Sequence, residues 1–324
     1  MKVFITRLIP ETGLKQLQDA GIEMLQWKQK RELTRQELVA FCKQCDALLS
    51  AGHNEIDSTF LNECKHLKVI ALHSVGFDNV DIAEATRLKI PIGNTPGILS
   101  GATADTAFLL MLAVSRKAFY LHQKIINGEW KFFEPTANLG IELNGKTLGI
   151  YGLGKIGFEM AKRCIGAYNM KVIYNNRHPN IEAENELNAE MVSFEELLKR
   201  SDVLSVHTIL SNETKGKFDQ SAFGKMKPSA IFINTARGAV HNEKDLVSAL
   251  QNRTIWGAGL DVTDPEPMQP GNPLLTMPNA AVTPHIGSAT VNTRNAMAKM
   301  AVENVIAGLS GKQIPYPVNP EIYD

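Results

Sequence analysis

The sequence predicts an α/β protein built from two doubly wound parallel-sheet domains. Three observations lead there. The chain has 324 residues, about twice the length of a common domain. Short apolar runs alternate with helical patterns through both halves, which implies parallel strands covered on both faces. Near the middle, Gly152, Gly154 and Gly157 form a G-x-G-x-x-G string that follows an apolar strand and opens a helical pattern.

In the first hundred residues KVFIT, IEMLQW, DALLS, LKVIAL and IPIGN read as strands. Between them ETGLKQLQDA, TRQELVAFCKQC, DSTFLNECK and DIAEATRLK read as helices, with Thr34 and Glu37 as a capping box. The block GATADTAFLLMLAVSRKAFYLHQKIINGEW is helical and apolar nearly all round, so it should be buried between domains or subunits. EPTANLGIELNGK reads as a loop that re-enters a new domain. The second series has strands at TLGIYG, KVIYN, DVLSVH, AIFINT, IWGAGLDV and AAVTPH. Its helices fit KIGFEMAKRCIGA, SFEELLKRS (Ser193 and Glu196 as a second capping box), DQSAFGKM and NEKDLVSALQN. A last helix near 288–308 precedes the proline-rich GKQIPYPVNPEIYD, which has no strand partner nearby and is expected to cross back to the first domain.

Lysine plus arginine number 34 and aspartate plus glutamate 34, and this balance argues against a nucleic-acid or anionic-membrane partner. The most apolar run, AFLLMLAV at 107–114, is far short of the roughly 20 residues that span a bilayer. The start, MKVFITRLIPETG, lacks the apolar core of a signal peptide, so a cytoplasmic protein is expected. Cys42 and Cys45 form a C-x-x-C, which admits a redox or half-zinc reading. The stronger reading is two cysteines on one face of a helix, because nothing completes a tetrahedral ligand set. No metal site is expected.

The glycine string has a specific physical use. Gly152 permits a tight turn, Gly154 lets a pyrophosphate approach the backbone, and Gly157 lets helix and strand pack closely. The helix N-terminus then offers free N–H groups to the phosphates. The alternative is a strand–helix turn with no ligand. In an open parallel sheet ligands bind beyond the carboxyl ends of the strands. There AIFINTARG ends with Arg237, AGLDVTDPEP with Asp261 and then Glu266, and AAVTPHIG with His285. Singly these could be a solvated turn arginine, an exposed loop acid and a structural histidine. Together they suit hydride chemistry on a keto acid. A histidinium can protonate the carbonyl oxygen, a carboxylate can favour and orient it, and an arginine fork can bind the substrate carboxylate.

At these residues the sequence resembles the D-isomer-specific 2-hydroxyacid dehydrogenases, and most of all the glyoxylate/hydroxypyruvate reductases among them. The matching stretches are SVGFDNVDI, NTPGILSGATADTAFLLML, GKTLGIYGLGKIG, INTARGAVHNEKDLVSAL, GAGLDVTDPEP and TPHIGSAT. The resemblance implies a discontinuous, flavodoxin-like substrate-binding domain over 1–99 plus 288–324. It implies a Rossmann NAD(P)-binding domain over 100–287 and a catalytic cleft between the two. It makes Arg237 the residue that binds and polarises the keto acid, His285 the acid/base and Glu266 the partner of His285. Val75 and Gly76 would grip the substrate carboxylate through their backbone. Asp261 would contact the nicotinamide carboxamide, and Thr103 would lie against the ring. Further cofactor contacts are implied at Leu153, Lys155, Ile156, His207, Thr208, Thr214, Thr235, Ala236 and Gly287. A homodimer is implied, with the apolar block after residue 100 at its interface. Loops around Gly52–His53 and Trp130–Pro135 would shape specificity. One departure stands in HTIL, where Ile209 occupies a position that is commonly proline in the family.

VIYNNRHPN bears on the cofactor. Asn176 falls where a ribose-binding carboxylate is expected, about 20 residues beyond Gly157. An acid there would repel a 2′-phosphate; Asn176 does not, Arg177 can pair with the phosphate, and His178 can add a donor or a face for adenine. NADP(H) is therefore expected in preference to NAD(H), with reduction as the favoured direction. A turn bearing a solvated arginine is the alternative. Other readings are an NAD-dependent dehydrogenase of another acid, such as 2-ketogluconate or phosphoglycerate, a formate dehydrogenase, and a dinucleotide-sensing corepressor-like protein. Ending at Asp324, the chain is expected to carry no appended regulatory domain.

Overall fold

The structure, a computed structural model, describes all 324 residues. In chain order the first elements are β1 (Lys2–Ile5), α1 (Glu11–Asp19), β2 (Glu23–Gln26), α2 (Arg35–Cys42), β3 (Ala47–Ser50), α3 (Ser58–Glu63), β4 (Val69–Leu72), α4 (Ile82–Arg87) and β5 (Ile92–Gly93). Two helices follow, α5 (Ser100–Ser115) and α6 (Ala118–Ile126). Then come β6 (Thr147–Tyr151), α7 (Lys155–Tyr168), β7 (Lys171–Asn175), α8 (Ile181–Leu187), β8 (Glu190–Met191), α9 (Phe194–Arg200), β9 (Val203–Val206) and α10 (Gln220–Lys225). The chain closes with β10 (Ile231–Asn234), α11 (Glu243–Gln251), β11 (Gly257–Leu260), β12 (Ala280–Val282) and α12 (Val291–Leu309). Contacts divide it into two units, Met1–Leu99 with Ala289–Asp324, and Ser100–Ser288. Ser288, expected in the first, falls in the second.

The first unit holds a parallel sheet in the order β2-β1-β3-β4-β5, the doubly wound order of flavodoxin-like folds. Alternation along β1 sends Val3 and Ile5 to one face and Phe4 to the other. Val3 and Ile5 join Val69 in a cluster with Ala301, Val302 and Val305 of α12. Phe4 joins Leu48, Ile70 and Phe60 on the opposite face. Each such fully buried side chain contributes about 1.5–3 kcal/mol.

Local chemistry sets the helix ends. The Thr34 hydroxyl accepts the Glu37 N–H at 3.2 Å while the Glu37 carboxylate accepts the Thr34 N–H at 2.9 Å, so the first capping box is complete. At α9 only half a box forms, with Ser193 Oγ accepting the Glu196 N–H. There Glu196 turns instead toward Arg200, one turn along the helix. The two cysteines do not share a helix face either. α2 stops at Cys42 and Cys45 lies beyond its cap, although both are free and bury in the same core.

The proline-rich tail crosses back to the first unit, as expected, and meets the edge of β5 there. Pro317 bridges Gly93 in antiparallel fashion, and the Val318 N–H donates to the Ile92 carbonyl at 2.7 Å. Two buried asparagines fix it. Asn319 Oδ1 accepts the Ile92 N–H at 2.8 Å, and Asn304 of α12 bonds both the Asn94 carbonyl and the Tyr316 N–H. The tail thereby covers the edge of β5, whose groups would otherwise be open to another strand.

The second unit holds seven parallel strands in the order β12-β11-β10-β9-β6-β7-β8. Numbered within the unit this is 3-2-1-4-5-6-7, the Rossmann order with one strand added. The helical block after residue 100 is two helices, because Lys117 adopts a left-handed conformation with φ 55°. α5 is buried as expected, yet α6 buries no residue and Ile125 and Ile126 are exposed. α8 and β8 are absent from the sequence expectation. Both are short and polar, and Tyr174 ties α8 to β7 through a 2.6 Å bond from its hydroxyl to Glu184. No helix is long and apolar enough to cross a membrane.

Candidate active site

The order of the second sheet reverses between β6 and β9, which pair directly. At this switch point the glycine string forms the β6–α7 turn. Gly152 has φ +93°, and a Cβ there would lie 2.8 Å from the Thr208 nitrogen, so only glycine fits. Thr208 and His207 thus lie against the turn, with His207 Nε2 2.8 Å from Ser205 Oγ. A Cβ on Gly154 would meet open space, and no side chain caps α7. The first-turn N–H groups of Lys155, Ile156 and Gly157 therefore point toward a ligand position without a side-chain acceptor. A Cβ on Gly157 would press on Ile150 at 3.0 Å. These residues fit a dinucleotide pyrophosphate.

The strand after the turn is built around Asn176. Its Oδ1 accepts the Leu153 N–H at 2.7 Å and its Nδ2 donates to the Leu153 carbonyl at 3.2 Å. Asn176 therefore fastens the glycine turn to the end of β7, a role the sequence did not suggest. Arg177 and His178 follow it on the surface and are exposed. On the β9 side, the Thr214 hydroxyl accepts the Ser211 N–H and donates to the Ile209 carbonyl, closing the 209–214 loop; Ile209 itself is exposed.

The carboxyl ends of β10, β11 and β12 lie side by side, since Asn234 pairs with Leu260 and Leu260 with Val282. Asp261 is buried. Its carboxylate accepts the Thr283 hydroxyl at 2.7 Å and the N–H groups of Ile286 and Gly287 at 2.8 and 2.7 Å, while its carbonyl accepts the His285 N–H. Burial raises its pKa and these hydrogen bonds oppose the rise. Asp261 thus holds the turn in which His285 takes a left-handed φ of 53°, a conformation side chains other than glycine adopt at a cost. A Cβ on Gly287 would come within 3.4 Å of both Asp261 Oδ2 and Thr103 Oγ1, so these three residues form one close group.

His285 Nδ1 stands 2.5 Å from Glu266 Oε1, with both side chains about half exposed. Burial pushes the Glu266 pKa up, but the His285 hydrogen bond and the charges of His285 and Arg237 bring it below its ordinary value. Arg237 Nη1 donates to the Ala236 carbonyl at 2.8 Å. Arg237, Glu266, His285, Asp261, Thr103 and Gly287 all belong to the second unit, as does Thr235, whose buried hydroxyl has no partner. In the first unit the carbonyls of Val75 and Gly76 accept from Asn94 Nδ2 and Ser74 Oγ at 2.8 Å, and neither N–H has a protein acceptor. Reasoning from sequence passed over Asn234, Thr283 and the contact of Gly238 with Thr263. Their one signal is a polar residue closing an apolar strand, as in IFIN.

Residues 108–287 match the family described as D-isomer specific 2-hydroxyacid dehydrogenase, NAD binding domain. The chain is 43% identical to a glyoxylate reductase of Thermococcus litoralis over 99% of this chain and 97% of that one. Its fold is similar to a glyoxylate reductase of Paecilomyes thermophila, with a TM-score of 0.86, 32% identity and 99% of each chain covered. It is also similar to an NADPH-dependent glyoxylate/hydroxypyruvate reductase of Sinorhizobium meliloti in complex with NADP and malonate, with a TM-score of 0.83, 28% identity, and 98% of this chain and 97% of that one covered. The chain belongs to the D-isomer-specific 2-hydroxyacid dehydrogenase family and is an oxidoreductase with an NAD-binding domain.

Proposed function

We propose that the chain reduces small 2-keto acids, glyoxylate and hydroxypyruvate foremost, to D-2-hydroxy acids, with NADPH preferred and NADH accepted. The observation that carries this is the 2.5 Å His285–Glu266 pair in the same unit as Arg237 and the glycine turn. The nicotinamide, when bound, supplies hydride to the carbonyl carbon. As the carbon–hydrogen bond forms, the carbonyl π pair moves to oxygen and negative charge grows there. Glu266 holds His285 by Nδ1, so Nε2 is the nitrogen that gives its proton to that oxygen. The ring is left neutral and takes a proton back from solvent. The Arg237 guanidinium pairs with the substrate carboxylate and offsets charge on the oxygen. In the first unit the N–H groups of Val75 and Gly76, without a protein acceptor, are suited to a carboxylate.

Asp261 accepts three protein donors, which leaves its carboxylate about one position for a carboxamide N–H. Thr103, packed beside it, would meet the ring. NADPH preference is supported by the amide at Asn176, which brings no negative charge, and by exposed Arg177 and His178. The exposed apolar side chains of Ile125, Ile126, Trp130, Phe132 and Phe133 support a homodimer through this face.

The test is absorbance of NADPH and of NADH during addition of glyoxylate, hydroxypyruvate, 2-ketogluconate and phosphohydroxypyruvate. Turnover with the first two, faster with NADPH, is expected. Tight NADPH binding without turnover of any acid would point to a dinucleotide sensor instead.

A further inference from the structure

β10 ends on a side chain that the chemistry above leaves unused. Asn234 is completely buried. Its Oδ1 accepts the Ala236 N–H at 2.9 Å, and its Nδ2 donates to the Arg237 carbonyl at 2.8 Å and to His241 Nδ1 at 3.0 Å. One amide therefore holds the two backbone groups that bracket the Ala236–Arg237 step. The direction in which the Arg237 side chain leaves the backbone follows from them.

His241 gives this clamp its orientation. The ring is buried and meets Phe232 edge-on, 5.8 Å between centroids. Burial pulls its pKa down to about 4, and no charged neighbour contributes. A neutral ring that faces an amide N–H with Nδ1 carries its own proton on Nε2. Turning the amide over would set oxygen against the Arg237 carbonyl and N–H against N–H at Ala236. The three contacts thus agree on one orientation. Beyond Arg237 the backbone is pressed against the approach to Glu266. A Cβ on Gly238 would lie 2.0 Å from the Thr263 carbonyl oxygen, and the Thr263 hydroxyl donates to the Pro265 carbonyl at 2.8 Å.

We propose that Asn234 is a positioning residue for keto-acid reduction: its buried amide, oriented by His241, holds the Arg237 backbone so that the guanidinium meets the substrate carboxylate in a single geometry. This rests on Arg237 as the substrate-binding residue. An asparagine that merely closed a strand would stabilise the fold without favouring the keto acid over the cofactor.

The experiment uses the full chain with NADPH and glyoxylate. Asn234→Asp keeps the size and the acceptor for Ala236 but replaces both donors with an acceptor. Its kcat/KM should fall by about tenfold or more through a raised KM for glyoxylate, as expected when a buried carbonyl loses its donor. Its Kd for NADPH, read by fluorescence, should stay within about twofold. On an Arg237→Ala background the same substitution should add less than about threefold, because the two residues act as one unit. A full additional loss on that background, or an equal rise in the NADPH Kd, would overturn the proposal. If Arg237→Ala alone leaves the glyoxylate KM unchanged, the substrate reading of Arg237 fails first and takes the clamp with it. Should Asn234→Asp not fold, His241→Phe keeps the ring on Phe232 and removes the acceptor. It should show the same split between substrate and cofactor at about threefold, and parallel changes in both would overturn the proposal.

Discussion

The ligand side of the second sheet is built in two ways. At the ends of β10, β11 and β12 the polar groups around Arg237 and His285 are tied into the protein, by Asn234, Asp261, Glu266 and Thr283. At the end of β7 the backbone is tied as firmly, through Asn176 and Leu153, yet Arg177 and His178 project into solvent. On the function proposed above, the difference follows from the two tasks. Proton transfer and charge stabilisation require donors already in place when charge develops. Choice between two cofactors requires a charge that is present or absent, and a flexible side chain can supply it after binding.

The largest test of this contrast lies at the braced end. His285→Ala should lower kcat/KM by roughly a hundredfold or more, the expected loss for a general acid. Near-normal turnover would remove His285 from the chemistry. Glu266→Gln is milder. It keeps a hydrogen-bond acceptor near Nδ1 but removes the negative charge, so kcat/KM should fall by about tenfold. Near-normal turnover in Glu266→Gln would show that the carboxylate of the pair is not needed for the chemistry.

Acid stability draws on both ends. His241 at the ends of β10–β12, His207 beside the glycine turn and His73 in the first unit are each pulled by burial to about 4 from an ordinary 6.5. Between those values the unfolded chain binds more protons than the folded one. Stability therefore rises with pH across the window and is lost as pH falls from about 6.5 toward 4, by up to about 1.4 kcal/mol per pH unit for each ring. Urea midpoints between pH 7.5 and 4.5 should show this slope. The carboxylates of Glu37, Asp57 and Glu84 are held near 2 by Arg31, Arg35 and Arg87, so their contribution disappears at lower pH still. A flat midpoint down to pH 4.5 would mean that all three rings accept protons in the folded protein.

Much of this was legible in the sequence, and the exceptions share a cause. Strand–helix alternation, the glycine turn and the positions of Arg237, Glu266 and His285 are properties of short segments, and each of those segments lies where the pattern places it. What escaped depends on partners distant in the chain. The clamp of Asn176 on Leu153 joins residues 23 apart, Asp261 bonds Gly287 across 26, and Pro317 covers Gly93 at the edge of β5. β8 was hidden for a different reason: two exposed residues carry no apolar alternation. Asn234 was hidden because a polar residue at the end of an apolar strand looks the same whether it faces solvent or holds a loop.

The smallest expected effects lie at the open end. Arg177→Ala should raise KM for NADPH several-fold and leave KM for NADH nearly unchanged, since an exposed arginine loses strength to salt and solvent. Asn176→Asp sharpens the same question. Its oxygen can still accept the Leu153 N–H, so the glycine turn keeps its stronger tether while a negative charge enters where a 2′-phosphate would lie. The ratio of kcat/KM for NADPH over NADH should fall by more than in Arg177→Ala, because a repulsion has been added as well as an attraction left unaided. Equal loss with both cofactors in the Asp variant would mean that the turn itself had moved. An unchanged ratio in both variants would place cofactor choice elsewhere on the β7–β9 side of the sheet.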